Sequence, residues 1–562
     1  MKPIIAFAAC ALALLAASAA LADPASPAGD WQGVISARGT RAAIHIEQTA
    51  SGAFVGDIDL PDNGIRDFPL DQVTLQDGVL AFSYRGGTRR FEGRWDEAAG
   101  AWVGRFQTPN SGIDMAWTAG FLGLPVVDGL DGRWEGVMSQ GGVQTRVILR
   151  VDTDEHGTWA LLDLPHLVEI GIPVNPLTRQ GDAVAFTAPA AGLGFQGALD
   201  PAAGTLKGTF GAPGSGAPLE LVRNDDGEPR RPQTPTAPWP YRTEEISIAN
   251  AAADVRLGCT LTLPQGPGSH AVAILLSGTA AQDRDEEMVG HRPFLVLADH
   301  LARNGVGALR CDDRGVGAST GVFRTSMLPD FADDVEASMD VLQARPDVGK
   351  IGLIGHSEGG IVASMVAAER ADAAFVVQVA GPGVPVYDLL LKQGEETSRA
   401  RGLPEAMIEQ QSALRRAVYD IVRAAETPEA GAAEVEIFLV SVGLPRETAQ
   451  GEAAFATRPD MQRILKVDPA AWLAQVSAPV LAIVGSKDTQ VPAPQNLPGL
   501  RAALAGNPDA TVLELPDLNH LMQTARTGAI GEYYEIEETM APLALATIST
   551  WLAERGFARA TP

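Results

Sequence analysis

Ile351-Gly-Leu-Ile-Gly-His-Ser-Glu-Gly-Gly-Ile-Val-Ala-Ser-Met-Val-Ala-Ala-Glu-Arg370 is the stretch on which the reading of this chain turns. A short apolar run meets Gly355-His356-Ser357-Glu358-Gly359, and a small-residue helical pattern follows at once. That order predicts a strand, a sharp turn and a helix, with a serine at the apex. A serine so placed is pushed clear of the backbone by the strained turn. Glycines flank it because a side chain there would clash with the neighbouring strand or helix. The helix behind it aims unpaired N–H groups at negative charge that develops near the hydroxyl. Ser357 therefore reads as a nucleophile.

The pattern G-x-S-x-G by itself is weak, since short motifs recur by chance. A second match, Gly317-Ala318-Ser319-Thr320-Gly321, occurs in the same chain. It follows the polar loop Asp312-Asp313-Arg314-Gly315 and leads into no clean helix, so Ser319 is set aside.

The chain has 562 residues, enough for three or four domains. An apolar content of 46% with 20% charged residues is that of a folded protein. The formal charge of −26 argues against nucleic acid and anionic membrane surfaces as partners, because both need basic patches. Residues 1–22 read as a cleavable signal peptide. Lys2 is the charged start, Ile4 to Leu15 the apolar core, and Ala20-Leu21-Ala22 the small-x-small cleavage site. The core is short for a membrane anchor and no basic stop follows it, so a periplasmic or secreted location is expected, with no later membrane span. Cys259 and Cys311 remain after cleavage. Both fall on predicted neighbouring strands, where two buried thiols are expected in preference to a pair. The two cysteines and scattered histidines suggest no metal-ligand cluster, and no cofactor is expected.

Behind the leader the chain is built twice. Gly29-Asp-Trp-Gln-Gly33 recurs as Gly132-Arg-Trp-Glu-Gly136, and Asp59-Leu-Pro61 as Asp163-Leu-Pro165. The pattern from Phe91 through Gly93, Asp96, Gly100 and Gly104 to Phe106 recurs from Phe195 to Phe210. So many matches at nearly one offset indicate a tandem duplication. Short alternating runs broken by Gly, Asp and Asn predict an antiparallel meander in each copy, a small barrel or sandwich. The β-rich modules are placed at 23–124 and 125–225. Trp31 and Trp134 fall at matching strand positions, which favours core packing over a sugar-binding surface.

Residues 226–241 form a proline-rich linker, expected to be extended and semi-rigid. From 242 to 562 continuous apolar runs alternate with helical patterns. That predicts an α/β fold with a mostly parallel sheet. At about 387–476 the strand signal stops and amphipathic helical patterns take over. A helical insertion there would sit above the strand ends that carry the serine, as a lid or a purely structural cap.

A serine hydroxyl needs a base. On this type of fold the partners follow in the order serine, acid, histidine. Of 8 histidines only His520 lies beyond Ser357. Asp488 ends the apolar run Val480-Leu-Ala-Ile-Val-Gly485 and is preferred as the acid, because Asp517 lies only three residues from His520. The oxyanion donors are expected to be the backbone N–H groups of Glu358 and of Thr279, with Gly278 as the alternative in the second loop.

With these residues in view, 241–562 resembles the bacterial α/β-hydrolases of the EstD esterase type. The matching stretches are Gln282-Asp-Arg-Asp-Glu286, His291-Arg-Pro-Phe-Leu-Val-Leu-Ala-Asp299, Asp312-Asp-Arg-Gly-Val-Gly317, Gly355-His-Ser-Glu-Gly359, Gly485-Ser-Lys-Asp488, Leu518-Asn-His520 and Glu535-Ile-Glu-Glu-Thr539. The chain departs from that pattern at Thr279-Ala-Ala281. The resemblance implies a carboxylesterase for a small-molecule ester, with its triad on Ser357, Asp488 and His520. The expected architecture is an α/β-hydrolase domain with a helical lid, preceded by two all-β modules. Two rivals stand beside it. One is a serine peptidase on the same fold, in which lid residues such as Glu395, Glu396 and Glu405 would hold an amine. The other is a binding protein with a vestigial hydrolase domain. The β modules carry no catalytic candidate. On the sequence alone, a chain starting near Tyr241 should therefore hydrolyse a small ester within about tenfold of the full chain.

Overall fold

The computed structural model describes residues 26–558, apart from 37–38, 86–88, 109–110 and 141–142. The expected signal peptide lies outside the described residues. Among those residues no helix is long and apolar enough to cross a membrane.

Each duplicated stretch folds as nine antiparallel strands. In the first module, Arg41–Gln48 pairs with both Gly29–Val34 and Phe54–Leu60, which joins the ends of the sheet into a barrel. The second module is a curled sheet of the same order, with its two end strands left unpaired to each other. The repeated Phe-x-Gly and Gly-x-Phe pieces are explained by register. Phe91 faces Phe106 while Gly93 faces Gly104, and Phe195 faces Phe210 while Gly197 faces Gly208. A Cβ on Gly104 would overlap the Glu92 carbonyl, and one on Gly208 the Gln196 carbonyl. The glycines let the strands close tightly beneath the phenylalanine rings. Trp31 and Trp134 are buried, and each indole N–H donates to the carbonyl four residues earlier, Pro27 at 2.8 Å and Leu130 at 2.7 Å. Both rings belong to the module cores.

The third sheet has eight strands: β1 (Tyr241–Asn250), β2 (Val255–Pro264), β3 (His270–Leu276), β4 (Gly307–Cys311), β5 (Val348–His356), β6 (Ala373–Val379), β7 (Val480–Gly485) and β8 (Ala510–Leu515). Their spatial order is 1-2-4-3-5-6-7-8. The pairs β1–β2 and β2–β4 are antiparallel and the rest parallel. The long apolar runs follow from this arrangement, since strands covered on both faces need no polar alternation. One face packs on α2 (Leu328–Gln343), α3 (Glu358–Glu369) and α10 (Ala493–Ala503). The other packs on α1 (Pro293–Arg303) and α11 (Pro542–Glu554). Between β6 and β7 the chain leaves the sheet for six helices: α4 (Val386–Ala400), α5 (Glu405–Ala424), α6 (Pro428–Ser441), α7 (Arg446–Ala456), α8 (Pro459–Ile464) and α9 (Ala470–Leu473). Tyr387, Val422, Val435, Leu439 and Leu465 give the insertion a core of its own. This is the α/β-hydrolase fold with two all-β modules in front.

The cysteines correct the sequence reading. Cys259 on β2 lies directly opposite Cys311 on β4, and the two form a disulfide. The Asp312 N–H donates to the Gly258 carbonyl at 3.0 Å. The cysteines are thus a non-hydrogen-bonded antiparallel pair, the arrangement that brings facing side chains closest. Neighbouring strands supply the geometry after all, because the register places the two residues face to face.

The buried indoles generate a test. Trp31→Ala or Trp134→Ala should cost its module about 3–5 kcal/mol, read as a shift of that module's unfolding to lower denaturant. An unshifted transition would place the ring outside the core.

Candidate active site

β3 and β5 are parallel neighbours, with Leu276 level with Gly355. The chain reverses its direction of winding there, so the loops leaving their carboxyl ends open a crevice. One loop is the turn at Ser357 and the second is Ser277–Ala281. Ser357 has φ 53° and ψ −119°, a conformation that non-glycine residues adopt at a cost of about 1–3 kcal/mol. A Cβ on Gly355 would strike the Gly359 carbonyl, and one on Gly359 the Leu276 carbonyl. This crowding is why the elbow needs both glycines. Glu358 opens α3, so its N–H has no partner within the helix.

His520 lies in the long loop between β8 and α11, and Asp488 lies just beyond β7. The His520 Nδ1–H donates to Asp488 Oδ2 at 2.8 Å, with both side chains buried. The other carboxylate oxygen of Asp488 accepts the backbone N–H groups of Gln490 and Val491, at 2.8 and 2.7 Å. Asp517 is exposed and pairs with Lys487 at 2.9 Å. Ser319 is fully buried: its hydroxyl donates to the Asp312 carbonyl and accepts the Gly258 N–H, a structural role.

In the second loop the Gly278 N–H is taken by Glu286 Oε1 at 2.7 Å. The next N–H along the loop is that of Thr279, whose hydroxyl reaches Glu358 Oε2 at 3.3 Å, tying the two loops together.

The sequence reading gave Glu286 and His356 no role, and the structure puts both at the centre. His356 Nδ1 meets Glu286 Oε1 at 2.8 Å, and Nε2 meets the backbone carbonyl of His520 at 3.0 Å. A backbone carbonyl and an ionised carboxylate both accept, so with Glu286 ionised both ring nitrogens carry hydrogen and the ring is an imidazolium. Burial opposes that charge most strongly, but the charge and hydrogen bond of Glu286, with the His520 carbonyl and the charge of Asp488, together raise the pKa of His356. One buried ion pair thus joins the elbow, the second loop and the backbone of His520. The presence of both residues inside quoted motifs was the available signal.

Asp313 sits behind the second loop, accepting from the Ser277 hydroxyl and the Gln282 N–H, each at 2.9 Å. Burial pushes its carboxyl up to about 7, with the charges of Glu286 and Glu358 adding to the effect. Tyr533 is fully buried, and burial together with the charge of Asp488 holds its phenol protonated. Its hydroxyl accepts from the Gln490 side chain at 2.9 Å. The insertion reaches the same place. Gln393 of α4 donates to Gln490 at 3.4 Å, and Asp460 of α8 is close enough for its charge to act on the Glu358 carboxyl.

Sheet order, elbow and insertion define the class as an α/β-hydrolase. Comparison with known proteins adds particulars. Residues 292–410 match the model of the serine aminopeptidase family S33. Esterase EstD of Thermotoga maritima is 25% identical over 265 residues, covering 47% of this chain. The chain spans 57% of that esterase's length. Solved structures with similar coordinates include Est1E of Butyrivibrio proteoclasticus with ferulic acid bound, at 17% identity and a TM-score of 0.33, covering 55% of this chain and 98% of that one. An esterase of Pyrococcus furiosus gives 16% identity and a TM-score of 0.35, covering 59% of this chain and 99% of that one.

Asp313 yields a pH test. Its carboxyl binds a proton more tightly folded than unfolded, so its contribution to stability falls as pH rises from near 4 to about 7. Asp313→Asn should flatten that part of the stability profile, measured as the urea midpoint against pH. Glu286→Gln should cost about 3–5 kcal/mol, because it strands the buried imidazolium, and calorimetry or denaturant unfolding reads this directly.

Proposed function

We propose that the protein is an exported serine carboxylesterase acting on short to medium acyl esters. The observation that carries the reading is the 2.8 Å bond from His520 Nδ1 to Asp488 Oδ2 beside a strained serine elbow. In this reading Ser357 Oγ attacks the ester carbonyl while His520 Nε2 takes its proton. Asp488 holds the Nδ1–H tautomer and steadies the imidazolium that forms. The N–H groups of Glu358 and Thr279 receive the oxyanion. His520 then returns the proton to the departing alcohol, leaving an acyl-serine. Water, activated by the same histidine, releases the acid and restores Ser357.

Ester rather than amide cleavage is favoured by the state of the insertion's acids. Glu395 accepts from the Ser412 hydroxyl at 2.7 Å. Glu396 pairs with Lys392 at 2.7 Å and Arg399 at 2.9 Å, and Glu405 pairs with Arg399 at 2.6 Å. These carboxylates have partners inside the insertion and offer no free group to a substrate amine. The insertion's contact with Gln490, through Gln393, supports a lid over the site. Export is supported by the leader pattern of residues 1–22 and by the Cys259–Cys311 disulfide, a bond that persists in oxidising compartments. N-terminal sequencing of the mature protein should begin at Asp23.

Ser357→Ala and His520→Ala should each lower kcat for a p-nitrophenyl ester by several orders of magnitude, and Asp488→Asn somewhat less. Ser319→Ala should leave kcat close to that of the parent. A p-nitrophenyl ester panel run against amino-acid amides decides the substrate class. Strong amide turnover with negligible ester turnover would make the protein a peptidase.

A further inference from the structure

The loop of residues 516–541 carries His520 and belongs to no sheet. Loops of this length hold one conformation only when something packs on them. Leu518, Met522 and Met540 enter the hydrolase core and His291 meets the Tyr533 carbonyl at 2.7 Å, and further packing comes from the second module. Ile148, on the second module's strand Val143–Asp154, is fully buried in a cluster with Leu521, Tyr533, Tyr534 and Val289. Leu521 is the residue after His520. Arg133, itself buried, donates to the Tyr534 hydroxyl at 3.2 Å, and Arg146 to Glu535 at 2.8 Å. The linker is no spacer. Its Arg231 donates to the carbonyls of Val289, Tyr534 and Ile536 at 2.8–3.2 Å. Inward from this contact, Tyr533 meets Gln490, and the Gln490 backbone N–H meets Asp488.

The two modules differ at these positions. Trp31 faces Ile44 and Trp134 faces Leu149, so the strands align as equivalents. On that alignment the first module has Ala43 where the second has Ile148, and Asp30 where the second has Arg133. Among the described residues, the side-chain hydrogen bonds that the first module makes beyond itself, Arg66 to Asp152 and Asp154 and Asp62 with Asn175, go to the second module.

We propose that the second β module is a positioning element for the catalytic base: Ile148 and Arg133 hold the 516–541 loop so that His520 stays against Asp488. The proposal rests on the esterase reading, and it reverses the expectation that residues 241–562 act alone. Loosening the module lets the loop sample other conformations, and turnover falls with the fraction of molecules that keep the base in place.

The test uses the full chain with Ile148→Asp, whose charge cannot remain in the cluster, and with Tyr534→Phe, which removes only the hydroxyl facing Arg133. Two quantities are read: kcat and KM for p-nitrophenyl butyrate, and the low-field proton resonance of His520 Nδ1–H. Ile148→Asp should lower kcat about tenfold or more and Tyr534→Phe a few fold, with KM within about twofold and the resonance broadened or lost. If Ile148→Asp does not fold, Tyr534→Phe decides. A folded variant with lower melting temperature but unchanged kcat and an unchanged resonance overturns the proposal, since a merely structural contact behaves that way. A wild-type chain inactive on every ester would sink the esterase reading instead, and the resonance would still report on His520.

Discussion

A buried carboxylate and a buried imidazolium share one hydrogen bond at the centre of this molecule, and the site is arranged around them. Glu286 and His356 could not be left unpaired in so dry a place without a large desolvation cost. Their pairing therefore determines where three separate segments lie. Glu286 holds the Gly278 N–H, which sets the second loop and turns Thr279 toward the elbow. His356 is the residue before Ser357, and its far nitrogen grips the His520 carbonyl. The candidate nucleophile, the loop of Gly278 and Thr279 and the candidate base are thus referred to a single charge pair. None of the three contacts the chemistry through Glu286 itself, so the pair acts by geometry.

The duplicated modules show how one packing solution serves two purposes. Both copies close their strands through the same phenylalanine and glycine register, and both bury the same tryptophan with the same indole hydrogen bond. They diverge at the outer face. There the second copy presents Arg133 and Ile148 to the loop that carries His520, where the first has Asp30, bonded to its own His45, and Ala43. Duplication with divergence at one face gives a scaffold and an arm from a single strand pattern.

The parts of this structure written in the sequence are those that depend on neighbours along the chain. Strand, elbow and helix around Ser357 follow from an apolar run, two obligatory glycines and a small-residue helix. The chain order of serine, acid and histidine singles out His520 and favours Asp488 at a strand end. The repeat is visible because the same local packing is encoded twice. The pairings that organise the site join Glu286 to His356, His356 to His520, and Ile148 to Leu521. Each partner is tens to hundreds of residues away, and neither composition nor periodicity marks such a pair. The disulfide is a case between the two. Both cysteines and both strands were legible, but only the register of β2 on β4 puts Cys259 opposite Cys311. Local stereochemistry determined the elements and the catalytic candidates. The burial of charge and apolar surface between distant segments, which exists only once the chain has closed on itself, decided how those candidates are held.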